Sequence, residues 1–204
     1  ALIARKLAPA LAAGCSVIVR PSNQTPGTAM VMVDCCRAGN LPEGVVNLVV
    51  GPTSATYAPI MASALVRKVS LTGSTRVGQQ MIRDAADTMK KVTMELGGNA
   101  PLIVYDDADL ETALSVSVPT KFANAGQVCV TADRIFVHDS LHDAFVAGFA
   151  ARAKALKLGD GLDPSVQMGP VINGGRRGEL EGIIADAVKA GARVVAGGGR
   201  ATAF

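Results

Sequence analysis

The sequence predicts an α/β protein built on a doubly wound parallel sheet, and three observations carry that prediction. Short runs of Val, Ile and Leu alternate with helical stretches along the first hundred residues. The connections are a few residues long, and Pro21 and Pro42 punctuate turns and leave the strand interiors intact. Glycine is abundant at 22 residues while aromatics make up 3%, which suits tight strand-to-helix turns and layers packed by Ala, Val and Leu.

The elements follow in order. SVIVRPS (16–22) reads as a strand stopped by proline, and TPGTAMVMVDCCRAG (25–39) as a helix closed by Gly39. VVNLVVG (45–51) is a strand and SATYAPIMASA (54–64) a weakly periodic helix. KVSLTG (68–73) is a strand, STRVGQQMIRDAAD (74–87) a helix and KVTMELGG (91–98) a strand. Gly97-Gly98 is the expected boundary between a first domain, 1–97, and a second, 98–204. Beyond it, APLIVYDDAD (100–109) is a strand leading to a helix start capped by Asp109 or its neighbours. LETALSVSVPTKFANAG is a helix interrupted or kinked near Pro119. RIFVHD (134–139) is a strand. SLHDAFVAGFAARAKAL (140–156) is amphipathic, with Leu141, Phe145, Phe149 and Leu156 on one side. GDGLDPSVQMGPVIN (159–173) is a long loop, GELEGIIADAVKAGA a helix and RVVAGGG (193–199) a strand.

Composition narrows the function. A chain of 204 residues buries roughly 70% of its extended surface, so it folds without staples. A hydrophobic fraction of 49% against 18% charged is ordinary for a soluble globular protein. The net charge of +3 is scattered and forms no stripe, and Trp is absent, which argues against nucleic acid as a partner. No apolar run reaches membrane-spanning length and no basic-then-apolar leader opens the chain, so neither membrane nor secretion is expected. A first residue Ala1 in place of Met reads as a segment of something longer. The cysteines Cys15, Cys35, Cys36 and Cys129 form no C-x-x-C pair, and only His138 and His142 could join them. No metal site or disulfide framework is therefore expected. Cys35 and Cys36, in an apolar helical stretch, read as small buried thiols. Free thiols fit the reducing cytoplasm.

Three short motifs could carry chemistry. In LTGSTRVGQQ a strand empties into Gly73 and Ser74, and a helix begins at once. Its free N–H groups and positive dipole end suit an anion, although an ordinary capped helix reads the same. Neither G-x-G-x-x-G nor a P-loop is present. In MELGGN, Glu95 stands near the carboxyl end of an apolar strand, where parallel sheets build their sites. Desolvation there would raise its pKa toward that of a general base, while a solvated strand-end glutamate is the plain alternative. In NAGQVCV, Cys129 follows a polar turn made by Asn124, Gly126 and Gln127. Nearby N–H dipoles favour a thiolate nucleophile, and a buried inert thiol reads equally from this motif alone. No histidine is placed for a Cys-His dyad.

Together and in this order, RKLAPALAAGCSVIVRPSNQTP, LTGSTRVGQ, MELGGNAPLIVYDDADLE and KFANAGQVC resemble the aldehyde dehydrogenase superfamily. The resemblance runs from about Ile3 to Ala196. ELGGNAP, DDADLE, KF-x-NAGQ-x-CV and GDGLDP look most like the succinate-semialdehyde dehydrogenase group. It implies a Rossmann-like coenzyme domain followed by part of an α/β catalytic domain, and NADP- or NAD-dependent oxidation of an aldehyde or semialdehyde. By that likeness Cys129 is the nucleophile that carries a thiohemiacetal and then a thioester. Glu95 is the base that activates water, and Lys6 belongs to a proton relay beside it. Ser74 would bind the coenzyme pyrophosphate, and Arg20, Ser22 and Asn23 would face the adenosine ribose. Gly51, Gly73, Leu96 and Gly97 complete the implied coenzyme positions. The resemblance also implies a cytoplasmic homodimer or homotetramer.

Departures from the family pattern sharpen the expectations. The family's Asn-Phe-Pro and Glu-x-Phe-Gly-Pro motifs are missing, as is the C-terminal arm, so the chain reads as a central segment that does not turn over alone. An acylating, CoA-dependent enzyme and a non-catalytic relative are the alternatives, and Glu95, Cys129 and Ser74 speak against the latter. Ala123 stands where succinate-semialdehyde enzymes commonly carry an Arg that helps bind the substrate carboxylate, so a weaker preference for the charged semialdehyde is expected. Arg20 and Asn23 stand where NAD-preferring members often carry Lys and Glu. Loss of that carboxylate removes repulsion toward a 2′-phosphate, so NADP is expected to serve at least as well as NAD.

Overall fold

A computed structural model describes residues 2–201. The chain forms two compact units, Ala1–Gly97 and Gly98–Phe204. In the first, α1 (Ala4–Ala12), β1 (Val17–Val19), α2 (Gly27–Ala38), β2 (Val46–Leu48), α3 (Thr53–Ala62), β3 (Lys68–Gly73), α4 (Thr75–Ala86) and β4 (Lys91–Leu96) alternate. In the second come β5 (Ala100–Val104), α5 (Leu110–Phe122), a 3-10 turn (Ala123–Gly126), β6 (Ala132–Val137), α6 (Asp139–Ala155) and α7 (Gly174–Lys189). Every paired strand is parallel, as β1–β2, β3–β4 and β5–β6, which is the ladder expected when helices link successive strands.

Three apolar clusters hold these pieces. Leu7, Val19 and Ala29 join α1, β1 and α2. Met61, Val69 and Ala85 join α3, β3 and α4. Tyr57 adds a polar tie by donating its hydroxyl to Asp84 Oδ2 at 2.6 Å, and burial, with Asp84 behind it, pushes the phenol up to about 12. In the second unit Val104, Leu114 and Phe145 are buried, with Leu141 and Phe149 against them, so the apolar side of α6 packs as its periodicity predicts. Leu156 lies one residue past the helix end.

Asp109 caps α5, accepting from the Thr112 N–H at 2.7 Å. Hydrogen bonds from Thr112 hold that carboxyl below its usual range. The packing of α6 on α5 depends on Gly148, where a Cβ would stand 2.6 Å from Leu114 Cδ1. Gly148→Val is expected to destabilise the second unit by about 1–3 kcal/mol, the usual range for overpacking. A urea midpoint equal to that of the parent chain would contradict this contact.

The structure corrects several sequence readings. Helix α1 was not anticipated. Pro9 lies inside it and cannot donate to the Arg5 carbonyl, and that breaker signal masked the Ile3, Leu7, Leu11 spacing. Helix α5 runs through Pro119 without a break and stops at Phe122, short of the predicted end. Helix α7 starts at Gly174, earlier than expected, because Asn173 caps it by accepting from the Arg176 N–H at 2.9 Å. RVVAGGG (193–199) forms no strand among the described residues. Gly197 and Gly198 take φ of 68° and 82°, outside extended geometry. Cys35 is exposed and Cys36 half-buried, so α2 turns the first thiol outward.

Candidate active site

The first unit gathers its candidate residues on the β3–β4 ladder. In register, Ser70 faces Thr93, Thr72 faces Glu95 and Gly73 faces Leu96. Alternation sends Val69 and Met94 into the core on one side. Ser70, Thr72, Thr93 and Glu95 share the other. Parallel sheets are normally covered on both faces, and this face presents a row of polar side chains in place of an apolar one. Lys6 of α1 reaches that row and donates from Nζ to Ser70 Oγ at 2.8 Å. Thr72 Oγ1 is buried and has no hydrogen-bond partner among the described residues. Glu95 is exposed, so the desolvation expected around its carboxylate is not provided by this unit.

The strand end feeds a helix start. Ser74 caps α4, its Oγ accepting from the Val77 N–H at 3.4 Å. The first turn of a helix has four N–H groups without helical partners, and the cap takes one of them. Leu96, paired to Gly73, lies under α4. A Cβ on Gly78 would stand 2.8 Å from Leu96 Cδ2, so this glycine lets helix and strand approach. Sequence reading missed Gly78, although a second glycine shortly after a strand-to-helix turn is the signal for such packing. Gly97 follows directly past the ladder.

A second group surrounds Arg20, just beyond β1. Its Nε donates to Thr56 Oγ1 at 3.2 Å, and its Nη2 to Thr53 Oγ1 at 2.6 Å and to the Gly51 carbonyl at 3.2 Å. The guanidinium is thereby fixed at the N-terminus of α3, and Arg20 and Gly51 are brought into direct contact. Thr53 and Thr56 were not read from the sequence as partners. The Ser22 hydroxyl accepts from the Gln24 N–H at 3.2 Å, and Asn23 is exposed on the same turn.

In the second unit Cys129 is exposed, between Val128 and Val130, which are also exposed. The turn before it is unusual. Asn124, Ala125 and Gly126 have φ of 50°, 56° and 75°, so three consecutive residues are left-handed, one of them an alanine. After it, Thr131 is buried at 2% exposure and its hydroxyl donates to the Thr120 carbonyl at 3.1 Å. That carbonyl is among the last of α5 and lacks a helical partner. The thiol is thus presented on a short arch anchored on both sides. A Gly-containing polar turn was legible in the sequence, but the anchoring by Thr131 had no local signal.

Two hollows lie in the second unit, of about 330 Å³ beside Val118 and Arg152 and about 430 Å³ beside Phe145 and Val195, and neither is lined by a candidate residue. Among the described residues no group of three metal-type ligands is assembled, and no helix is long and apolar enough to cross a membrane.

Residues 1–203 match the aldehyde dehydrogenase family. The chain is 47% identical to the 3-sulfolactaldehyde dehydrogenase of Pseudomonas putida over 98% of its length, covering 41% of that protein. It is 45% identical to the NADP(+) succinate-semialdehyde dehydrogenase of Escherichia coli over 97% of its length, again covering 41% of the relative. A crystal structure of an NADP-dependent enzyme from Escherichia coli superposes with a TM-score of 0.96 at 44% identity, over 98% of this chain and 42% of that one. The chain therefore spans about two fifths of the relatives it matches.

Proposed function

The chain belongs to the aldehyde dehydrogenase family, and on that premise we propose that the full-length protein oxidises a small aldehyde or semialdehyde to its carboxylic acid with NADP or NAD. In this reading the first unit contributes coenzyme-binding residues and the second the nucleophile. The observation that carries it is the presentation of Cys129 as an exposed thiol on a doubly anchored, left-handed turn. An inert thiol needs no such support. The free state of Cys15, Cys35, Cys36 and Cys129 supports a reducing, cytoplasmic setting.

The residues fit a dinucleotide. The start of α4, capped by Ser74 and opened by Gly73, suits a pyrophosphate. Arg20, immobilised by Thr53, Thr56 and Gly51, suits the ribose end, with Ser22 and Asn23 as neutral hydrogen-bonding groups. When bound, the nicotinamide supplies the acceptor for the hydride that leaves the aldehyde carbon.

The chain's own residues do the rest. The Cys129 thiolate adds to the aldehyde carbonyl, forming a C–S bond and an oxyanion that its own backbone N–H can receive. The oxidised adduct is a thioester on Cys129. Glu95 takes a proton from water, the resulting hydroxide adds to the thioester carbonyl, and the C–S bond breaks to release the acid and regenerate the thiolate. Lys6, whose Nζ is held by Ser70 on the face of the ladder that carries Glu95, is the proposed next group in the relay, releasing its own proton before it takes up that one.

Two relatives are named for the oxidation of 3-sulfolactaldehyde and succinate semialdehyde. Both are short aldehydes with an anionic tail; the proposed substrate is a short aldehyde or semialdehyde of this kind, bound without the basic side chain that Ala123 replaces. Steady-state assays of the full-length protein with such aldehydes, titrating both coenzymes, test the reading. NADP is expected to give kcat/KM at least equal to that of NAD. Absence of aldehyde oxidation with either coenzyme would overturn the function. A preference for NAD above tenfold, about 1.4 kcal/mol, would overturn the role given to Arg20 and Asn23.

A further inference from the structure

The turn in front of Cys129 carries a hydrogen-bond arrangement that the proposed reaction does not itself require. The Gln127 Nε2 donates to the Asn124 carbonyl at 2.9 Å, and the Asn124 Nδ2 donates to the Gln127 carbonyl at 3.2 Å. The Gln127 backbone N–H also donates to the Asn124 carbonyl, at 3.1 Å. Two side-chain amides thus clasp both ends of the left-handed stretch Asn124–Gly126. The Gln127 Oε1 has a separate partner. It accepts from the Ile172 N–H at 2.9 Å, which ties the turn to the end of the long loop that precedes α7.

The clasp is needed because the backbone it holds is costly. A non-glycine residue in the left-handed region is disfavoured by about 1 kcal/mol or more, and Ala125 has no side-chain group with which to offset it. Gly126 is free to relax in either direction. Without cross-links, a run of three such residues would move toward ordinary φ. The chain three residues on, which carries the thiol, would move with it.

We infer that Gln127 is a positioning residue for Cys129, with Asn124 as its partner in the clasp and the Ile172 backbone as its anchor. The inference rests on the proposed role of Cys129 as nucleophile. Gln127 touches no reacting atom. It fixes the direction in which the thiolate and the neighbouring N–H groups face the aldehyde carbon.

The test uses the full-length protein. Gln127→Met keeps length and shape but removes both side-chain hydrogen bonds of Gln127, to the Asn124 carbonyl and from the Ile172 N–H. Asn124→Gly removes one amide while tolerating the positive φ. Gln127→Glu is a shape match that can donate to the Asn124 carbonyl only when protonated. Gln127→Met is expected to lower kcat about 10²-fold, the scale for a displaced reacting group, with both KM values within about threefold and the melting temperature unchanged. Asn124→Gly should lower kcat about tenfold, the loss of one hydrogen bond. The activity of Gln127→Glu relative to the parent should rise as pH falls from about 6.5 to about 5, toward the ordinary glutamate range near about 4.3, because protonation restores the donor. The same ratio for Gln127→Met should stay flat. A purely structural role would not produce that pH signature. A Gln127→Met enzyme within threefold of the parent, a kcat loss that only tracks loss of folded protein, or a flat Gln127→Glu ratio would each overturn the inference. Cys129→Ser is run in parallel. If it retains full activity, the nucleophile reading itself has failed. If it is inactive while the Gln127 variants are normal, only the positioning role has failed.

Discussion

Cys129→Ala is expected to abolish aldehyde oxidation in the full-length protein, to below about one part in 10⁴ of the parent rate, as removal of a covalent nucleophile does in other enzymes. The position makes the experiment clean. Cys129 is exposed, so the substitution leaves no cavity and costs no core packing. The anchors on either side, Gln127 and Thr131, do not use the sulfur in any hydrogen bond. Loss of activity with unchanged circular dichroism and melting temperature therefore reports chemistry. Full activity in Cys129→Ala would remove the covalent mechanism entirely.

Glu95→Gln carries the second largest effect. Gln keeps the size and polarity of the side chain, and the Glu95 carboxylate accepts no hydrogen bond among the described residues, so β4 should pair with β3 as before. What is lost is the ability to take a proton from water. Turnover should fall by about 10²–10⁴, the usual contribution of a general base. The loss has a distinguishing signature. Acylation does not need the base, so a first burst of reduced coenzyme should persist while the steady state collapses. A variant that loses the burst as well would place Glu95 in the first chemical step instead.

The fold was readable where local rules and tertiary packing agree. Strands β3 and β4 are six-residue runs of alternating polar and apolar residues beside glycine turns, and Ser74 and Asp109 sit where a capping residue is needed. It was unreadable where tertiary contacts override local signals. Pro9 argues against a helix that is nevertheless held by Leu7 in the first core. Val194 and Val195 argue for a strand that the positive φ of Gly197 and Gly198 does not continue.

The candidate site divides the same way. Cys129, Glu95 and Ser74 stand in short local motifs, each open to a plain reading alone, and only the motifs together and in order point to one chemistry. The contacts that support them are non-local. Thr53 and Thr56 meet Arg20 across more than thirty residues of sequence, and the Ile172 N–H meets Gln127 across forty-five. No periodicity announces such pairs. The exposure of Glu95 stayed open between a desolvated base and a solvated strand end, because strand alternation gives the face on which a side chain lies and not what covers that face.

The central claim is that Cys129 carries the acyl group between oxidation and hydrolysis, and acid quenching tests it most directly. The full-length Glu95→Gln protein is mixed with coenzyme and a short anionic aldehyde, quenched within the burst, digested and mapped by mass spectrometry. The account predicts that the peptide containing Cys129 gains the mass of the acyl group, and that hydroxylamine removes it, as it does a thioester. An unmodified Cys129 peptide during a full burst, or the acyl mass on a different residue, would contradict it.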